Sequence, residues 1–388
     1  MPPSLPLHRH QSSLEGVIDF SAELTLGTDQ RTNAKRRFYH IVEYFEAANS
    51  SSSNDDYSRP RLVHFTYDYA LSEESRDNFL RAFFRAMALS IDGEEDIDVE
   101  DLRSPFFGFA DYLLDNFFLP LKASTKRTPQ PSPAFHSAVQ RVQGGDAEAF
   151  AGTPDRVSAL RGACLIRDRH RCVISRKFDL EEAAKRMQRD GDDARDDDGV
   201  LLLEDANPVD VLEVAHILPH SLMKADTGSE LNPSKQAALA ILNMFDSGII
   251  QLIEGVDIDR PRNAITLTHT LHWLFGDFRL FFEPTPDRQP HTYRISSFYP
   301  PTLLRDPAFP ITRTLYLTGT RTIDPPSPRL LAVHRAIAHI LHLSAAGDYI
   351  DKLLRDMDGK GIQADGSTEL DRLVKLRLGG WLDGPIYS

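Results

Sequence analysis

Residues 263–277 constrain the fold of this chain more than any other stretch; they read NAITLTHTLHWLFGD. Thr268 suits the N-cap of a helix that begins after it, because its hydroxyl can accept a hydrogen bond from a first-turn amide. Wound as a helix, the stretch separates an apolar side from a polar one. The apolar side holds Leu267, Leu271, Leu274, Phe275 and Phe278, and the other side holds His269, His272 and Gly276. We therefore predict a short helix that packs on a core and presents an imidazole.

A second piece lies upstream and reads VAHILP over residues 214–219. It alternates as a strand does and ends at Pro219, so His216 stands near the strand exit. The two pieces together place His216 on a strand, Asn263 in a loop and His272 on a helix, in that order along the chain.

This ordered set resembles the HNH branch of the ββα-metal (His-Me finger) endonucleases, in particular the Ala-His-Ile-x-Pro variety common in fungal proteins. The matching pieces run from Arg167 to Phe282. The resemblance implies that His216 is the general base that activates water and that Asn263 holds this histidine in place. It also implies that His272 binds a divalent metal ion.

The chain departs from that family at two positions. The residue before the strand histidine is often a metal-binding Asp or His, and here it is Ala215. A second ligand often follows the helix histidine by one turn, and here that residue is Gly276. Asp277 lies about 140° around an ideal helix from His272, but a left-handed cap at Gly276 would let it swing back. Asp277 and His269 are therefore further candidate metal ligands. The metal is expected to be Mg²⁺ or Mn²⁺, while imidazole in the shell also allows Zn²⁺ or Ni²⁺.

Charge and cysteine content limit the class of protein. The 388 residues carry a formal net charge of −13, so a contact with nucleic acid has to be local. The two cysteines argue against a disulfide framework and for a reducing compartment. No signal peptide and no transmembrane run is recognised, so we expect an intracellular protein, nuclear or cytoplasmic, that does not bind membranes.

A basic patch opens the predicted core. Arg167, Arg169 and Arg171 lie close together in sequence and can neutralise phosphates without reading a base sequence. The alternative is a solvated face paired with neighbouring acids. The expected partner is nucleic acid, DNA in preference to RNA; protein partners and oligomeric state stay open.

Composition and periodicity predict an α+β protein. Residues 1–125 form a mainly helical N-terminal domain, and 126–156 form a linker and lead-in. The resemblance implies an HNH (ββα-metal) core with insertions at residues 157–300, with an acidic insertion near 186–206 that is expected to be disordered, and residues 301–388 are expected to form a C-terminal helical region. Strands are expected at 62–67 and 248–253, and His334, His339 and His342 are expected at the surface or its boundary.

The leading functional prediction is a metal-dependent endonuclease that hydrolyses DNA. Two alternatives stay open. One is a catalytically degenerate HNH-like module that binds DNA or protein, and the other is an interaction scaffold built on the N-terminal domain.

Overall fold

The structure is a computed structural model and describes residues 25–49, 57–93, 98–125, 153–207, 209–223, 231–286, 289–318, 322–359 and 370–381. Within them the helices are α1 (Thr28–Asn49), α2 (Arg59–Asp68), α3 (Glu73–Ala86), α4 (Arg103–Leu113), α5 (Leu119–Thr125), α6 (Thr153–Arg167), α7 (Leu180–Asp190), α8 (Pro233–Asn243), α9 (His269–Gly276), α10 (Pro328–Leu343), α11 (Ala346–Gly359) and α12 (Leu370–Leu378). The strands are β1 (Leu212–His216), β2 (Ala264–Thr268), β3 (Leu280–Pro284), β4 (Thr292–Ser297) and β5 (Ile311–Thr314). Helices and small antiparallel sheets occur together, so the predicted α+β class is confirmed.

The described residues form two units by their contacts. The first is drawn from 1–124, 221–251 and 336–388, and the second from 125–220 and 252–335. These units are discontinuous in sequence, unlike the consecutive domains predicted above, and the borders of those domains stay a prediction.

The first unit has an aromatic core. Phe38 stacks edge-on against Phe79 and Phe83, with ring centroids 5.7 and 5.0 Å apart, and all three side chains are fully buried. The helical period of α3 brings Phe79 and Phe83 to one face, and Ser72 caps that helix by accepting a hydrogen bond from the Ser75 amide.

The second unit contains the two-stranded and the three-stranded sheet. β1 pairs antiparallel with β2 in a register that sets His216 opposite Ala264 and Leu212 opposite Thr268. α9 follows β2 directly, so the two strands and this helix form one ββα unit, as expected. All five apolar side chains assigned to one side of residues 267–278 are buried. Thr268 stands at the N-cap of α9, but within the described part of the chain its side chain makes no capping hydrogen bond.

Two predicted strands are wrong. Residues 62–67 lie in α2, which begins after Ser58, and the Ser58 hydroxyl accepts a hydrogen bond from the Arg61 amide. Pro60 in the first turn also favours this helix, and these two start signals outweigh the β-branched and aromatic residues that follow. Residues 249–252 form a short 3₁₀ turn instead of the strand expected at 248–253.

Two further expectations need correction. The acidic stretch near 186–206 is folded in its described residues, and three of its aspartates pair with arginines of the basic patch and of α7: Asp196, Asp197 and Asp198. His334 is buried, against the expectation of a surface or boundary position.

Within the described residues, no single helix is long and apolar enough to cross a membrane. The pair formed by α10 and residues 346–356, bent by 82°, passes the same test of length and composition.

Candidate active site

The site is built on the two faces of β1. Side chains alternate along a strand, so Glu213 and Ala215 point to one face while Val214 and His216 point to the other. Glu213 contacts histidines of α9, whereas Val214 packs on a cluster formed by Leu160, Cys164 and Ala264. One short strand therefore presents one histidine directly and orients others through a carboxylate.

Asn263 connects the strand exit to the preceding loop. Its side chain is fully buried, and its Oδ1 accepts a hydrogen bond from the Leu218 amide at 3.0 Å. Its Nδ2 donates to the carbonyls of Leu218 and Ile258, each at 2.9 Å. Leu218 follows His216 closely and Ile258 precedes Asp259, so one amide group fixes the backbone beside both side chains.

His216 is held by Asp259. The His216 Nε2 lies 3.1 Å from Asp259 Oδ1, and His220 Nδ1 lies 2.8 Å from the same oxygen. Arg156 Nε lies 3.3 Å from the other oxygen, Oδ2. Burial works to raise the pKa of Asp259, but the hydrogen bonds from the two histidines hold that pKa below the usual range of an aspartate. An ionised carboxylate can only accept, so both ring nitrogens donate to it.

The donation from Nε2 decides which nitrogen of His216 carries the lone pair. In the neutral ring one nitrogen bears the proton and the other accepts, so Nδ1 is the acceptor here. Among the described residues, Nδ1 is buried without a hydrogen-bond partner. His216 therefore offers a lone pair on Nδ1 that no described side chain or backbone group takes up.

His272 is oriented from the other face of β1. Its Nδ1 lies 2.6 Å from Glu213 Oε2, and His269 Nδ1 lies 2.8 Å from Oε1 of the same carboxylate. The His272 hydrogen bond lowers the pKa of Glu213 to about 2, against the opposing effect of burial and with a smaller contribution from His269. A carboxylate that accepts from Nδ1 sets the tautomer in which Nε2 carries the lone pair, as in many metal-binding histidines. The His272 side chain is 11% exposed and that of His269 is 77% exposed.

Asp277 follows the last residue of α9. Gly276 belongs to α9 and the residue with a left-handed backbone is Phe278, with φ 57°, so the left-handed cap at Gly276 that would let Asp277 swing back does not form. The Asp277 carboxylate is buried and accepts a hydrogen bond from Arg279 Nε at 3.3 Å. Its place among the candidate metal ligands stays a prediction.

The basic patch also needs correction, because two of its arginines are internal. Arg167 is completely buried beside Asp168, and its guanidinium donates to the carbonyls of Pro261 and Ala264 on either side of Asn263. Arg171 is almost as buried and pairs with Asp196 and Asp205. These two side chains brace the fold and do not face a phosphate.

Arg169 differs from those two arginines. Its side chain is 40% exposed, pairs with Asp198 and lies over the ring of Tyr316, with its guanidinium carbon 5.1 Å from the ring centroid. The ring of Tyr316 also faces Arg176, at 4.2 Å. Of the three predicted phosphate contacts, Arg169 is the one that reaches solvent.

Sequence reasoning missed three carboxylate and imidazole groups: Glu213, His220 and Asp259. Glu213 carried a usable signal, because the strand period of two places it on the same face as Ala215. His220 follows His216 across Pro219, which is suggestive by spacing. Asp259 carries no local signal, since its partner His216 is brought to it only by the pairing of β1 with β2.

Comparison with known families agrees with this geometry. The model of a family described as HNH endonuclease matches residues 172–283, well under half of the chain. That range contains both strands of the ββα unit, α9 and the two histidine–carboxylate clusters. Comparisons with curated proteins and with solved structures find no match. Residues 172–283 of this chain therefore form a domain of the HNH endonuclease family.

Proposed function

We propose that the protein is a metal-dependent endonuclease that hydrolyses phosphodiester bonds in DNA, with His216 as its general base. The observation that carries the proposal is the pair of His216 Nε2 and Asp259 Oδ1, 3.1 Å apart, on a strand whose opposite face orients His272 through Glu213. The HNH family match supports nuclease chemistry in general.

His216 takes the proton of the attacking water on Nδ1. The ionised Asp259 accepts from Nε2, which stabilises the imidazolium that forms when Nδ1 gains this proton. Asn263 acts as a positioning residue, because its three hydrogen bonds fix the backbone next to both members of the pair. The chain thus supplies a base with a defined tautomer and a fixed direction.

The donor set of α9 fits a divalent metal ion. His272 would hold it through Nε2, with Glu213 bonded to Nδ1, and His269 is a second imidazole at the same carboxylate. A metal ion bound there supplies Lewis-acid stabilisation of the leaving oxygen. Mg²⁺ and Mn²⁺ suit a shell completed by water, and Zn²⁺ or Ni²⁺ suit one with more imidazole. His216 would carry out the proton transfer, and Glu213 orients the imidazole that would hold the metal.

DNA contact falls to Arg169, the arginine of the basic patch that reaches solvent. Its guanidinium lies over the ring of Tyr316, as does that of the partly buried Arg176, and it can meet the phosphate backbone as a positive charge without base readout. Asp198 beside Arg169 weakens this contact by competing for the same guanidinium. The protein is expected to find its substrate through a few phosphates, in keeping with its negative net charge.

A second candidate function rests on the two departures from the family. Ala215 and Gly276 stand where metal ligands are common, which favours a catalytically silent HNH-like module that binds DNA or protein.

Plasmid nicking separates the two functions. Supercoiled plasmid is incubated with the protein and Mg²⁺, Mn²⁺ or Ni²⁺, and with a chelator as the blank. The endonuclease should nick only with metal, and His216→Ala should lower the rate by about 10²–10⁴-fold. The matched control is His342→Ala, since His342 is an exposed histidine of α10. Nicking by His216→Ala at the wild-type rate excludes His216 as the base, and no nicking with any metal leaves the silent module.

A further inference from the structure

Three metal-binding side chains converge beside the strand exit: His216, His220 and Asp259. One potential ligand atom from each lies within 4.8 Å of the other two. Both ring nitrogens point at a single carboxylate oxygen, Asp259 Oδ1, at 3.1 and 2.8 Å. This cluster is separate from the Glu213 cluster on the other face of β1.

We propose that His216, His220 and Asp259 form a binding site for Zn²⁺ or a similar transition-metal ion, and that filling this site blocks the nuclease. The binding half of this inference stands on the cluster alone, and the blocking half rests on the proposed role of His216 as base.

The donor chemistry selects the class of metal. Two imidazoles and one carboxylate are a common ligand set for Zn²⁺, which leaves a fourth position for water. Mg²⁺ prefers an octahedron of oxygens and would gain little from two imidazoles. The site is therefore expected to discriminate against Mg²⁺.

The site is largely buried and open to solvent on one side. The side chains of His216 and Asp259 are 4% and 1% exposed, and that of His220 is 20% exposed, so the site opens to solvent on the His220 side. Arg156 contacts Oδ2 of Asp259 and leaves Oδ1 facing the histidines. The guanidinium opposes a second positive charge electrostatically, but it also fixes the direction of the carboxylate.

Proton positions explain why metal binding would stop catalysis. A metal at Nε2 of His216 needs the lone pair on that nitrogen, so the ring proton has to move from Nε2 to Nδ1. His220 shifts its own proton in the opposite direction, from Nδ1 to Nε2, and no proton leaves the protein if both rings are neutral. The Nδ1 of His216 then carries a proton and cannot accept one from water. The base is thereby removed without any change of backbone.

The binding test uses the full chain after treatment with a chelator. Zn²⁺ is titrated by calorimetry, and Co²⁺ replaces it where an absorption spectrum of the ligand field is wanted. His220→Asn should weaken Zn²⁺ binding by about 100-fold or more, since loss of an outer-shell partner alone already costs about 10–100-fold. His220→Gln is a second variant with a longer side chain, in case Asn disturbs the fold. His272→Asn is the matched control, because it removes a carboxylate-bonded histidine from the other cluster.

The outcomes divide cleanly. A bound Zn²⁺ equivalent whose affinity falls by about 100-fold or more in both His220 variants and is kept in His272→Asn supports the site. Absence of Zn²⁺ binding by the wild type, or equal binding by the His220 variants, overturns it.

A second measurement tests the block and separates it from the proposed function. Zn²⁺ added to a nicking reaction with Mn²⁺ should inhibit the wild type, and inhibition of His220→Asn should need about 100-fold more Zn²⁺. Equal inhibition of both proteins overturns the block. Zn²⁺ binding that follows the expected pattern in a protein that nicks no DNA keeps the site and refutes the proposed function instead.

Discussion

Replacing His334 by Phe should make the protein less sensitive to acid. His334 lies on α10 with its ring fully buried, stacked on Phe275 at 3.9 Å and on Phe278 at 4.7 Å between centroids. Its Nε2 donates to the Phe275 carbonyl at 3.0 Å, at the end of the helix that carries His272. Burial lowers the pKa of His334 to about 3, although the bond to Phe275 opposes this shift.

The magnitude follows from the difference between folded and unfolded states. The unfolded chain takes up a proton on this histidine as the pH falls below about 6.5, whereas the folded protein stays neutral there until about pH 3. A folded-state pKa that is lowered for a base costs stability as the pH falls through this window. A pH of about 5 lies about 1.5 units below the unfolded-state pKa, which lowers the free energy of unfolding by about 2 kcal/mol. At about pH 4 the loss is about 3 kcal/mol.

His334→Phe keeps the aromatic stacking and removes the titrating group. We expect it to lose about 1 kcal/mol at neutral pH, since the hydrogen bond to Phe275 disappears. Its free energy of unfolding should then fall less than that of the wild type between about pH 7 and about pH 5, by about 2 kcal/mol. Urea unfolding followed by tryptophan fluorescence at both pH values measures the difference. His342→Phe is the control, because His342 is exposed on the same helix.

Two outcomes of the unfolding experiment would contradict this prediction. If His334→Phe and the wild type lose the same free energy on acidification, His334 does not stay neutral in the folded protein. If His342→Phe shows the same reduced sensitivity as His334→Phe, burial is not the cause.

Three further predictions concern the site. Asn263→Ala should lower the free energy of unfolding by about 3 kcal/mol in urea, at about 1 kcal/mol for each of its three hydrogen bonds, and a loss under about 1 kcal/mol would contradict its bracing role. Arg169→Gln should reduce the slope of log affinity for duplex DNA against log salt by about 1, as measured by fluorescence anisotropy. Arg167→Gln should lower the stability of the fold and leave this slope unchanged. A reduced slope in Arg167→Gln with an unchanged slope in Arg169→Gln would restore Arg167 as a phosphate contact. Gly276→Asp should tighten Mn²⁺ binding in calorimetry relative to Gly276→Ala, because position 276 lies one turn beyond His272 on the same helix. A Cβ at this position would lie 3.4 Å from the Thr125 carbonyl oxygen and is tolerated. Equal affinities would show that a carboxylate at position 276 does not reach the metal.

Periodicity predicted the parts of the site that depend on one element at a time. The alternation around His216 and the apolar side of α9 are local properties of the chain, and the structure has both. Asn263 was assigned by resemblance, and its three hydrogen bonds fit the role of holding the strand exit.

The rest depends on partners that are distant in sequence. Asp259 is brought to His216 by the pairing of two strands, which no local pattern encodes. Arg167 was misassigned for the same reason, because a positive charge in sequence does not reveal whether Asp168 and two backbone carbonyls surround it. Charge predicts a role at a surface only when burial is already known.

The buried side chain of Arg167 shows that the segment matched by the family model is smaller than the segment needed to fold the site. The family match begins at residue 172, but α6 ends at Arg167, whose guanidinium supplies the donors for the carbonyls of Pro261 and Ala264. A fragment that begins at residue 172 would lack Arg167 and leave these two carbonyls without this donor. Both carbonyls lie next to Asn263, which positions the backbone beside His216. We therefore expect the smallest piece that folds with an intact site to begin before α6, and a library of truncations would show a sharp loss of soluble protein once that helix is removed.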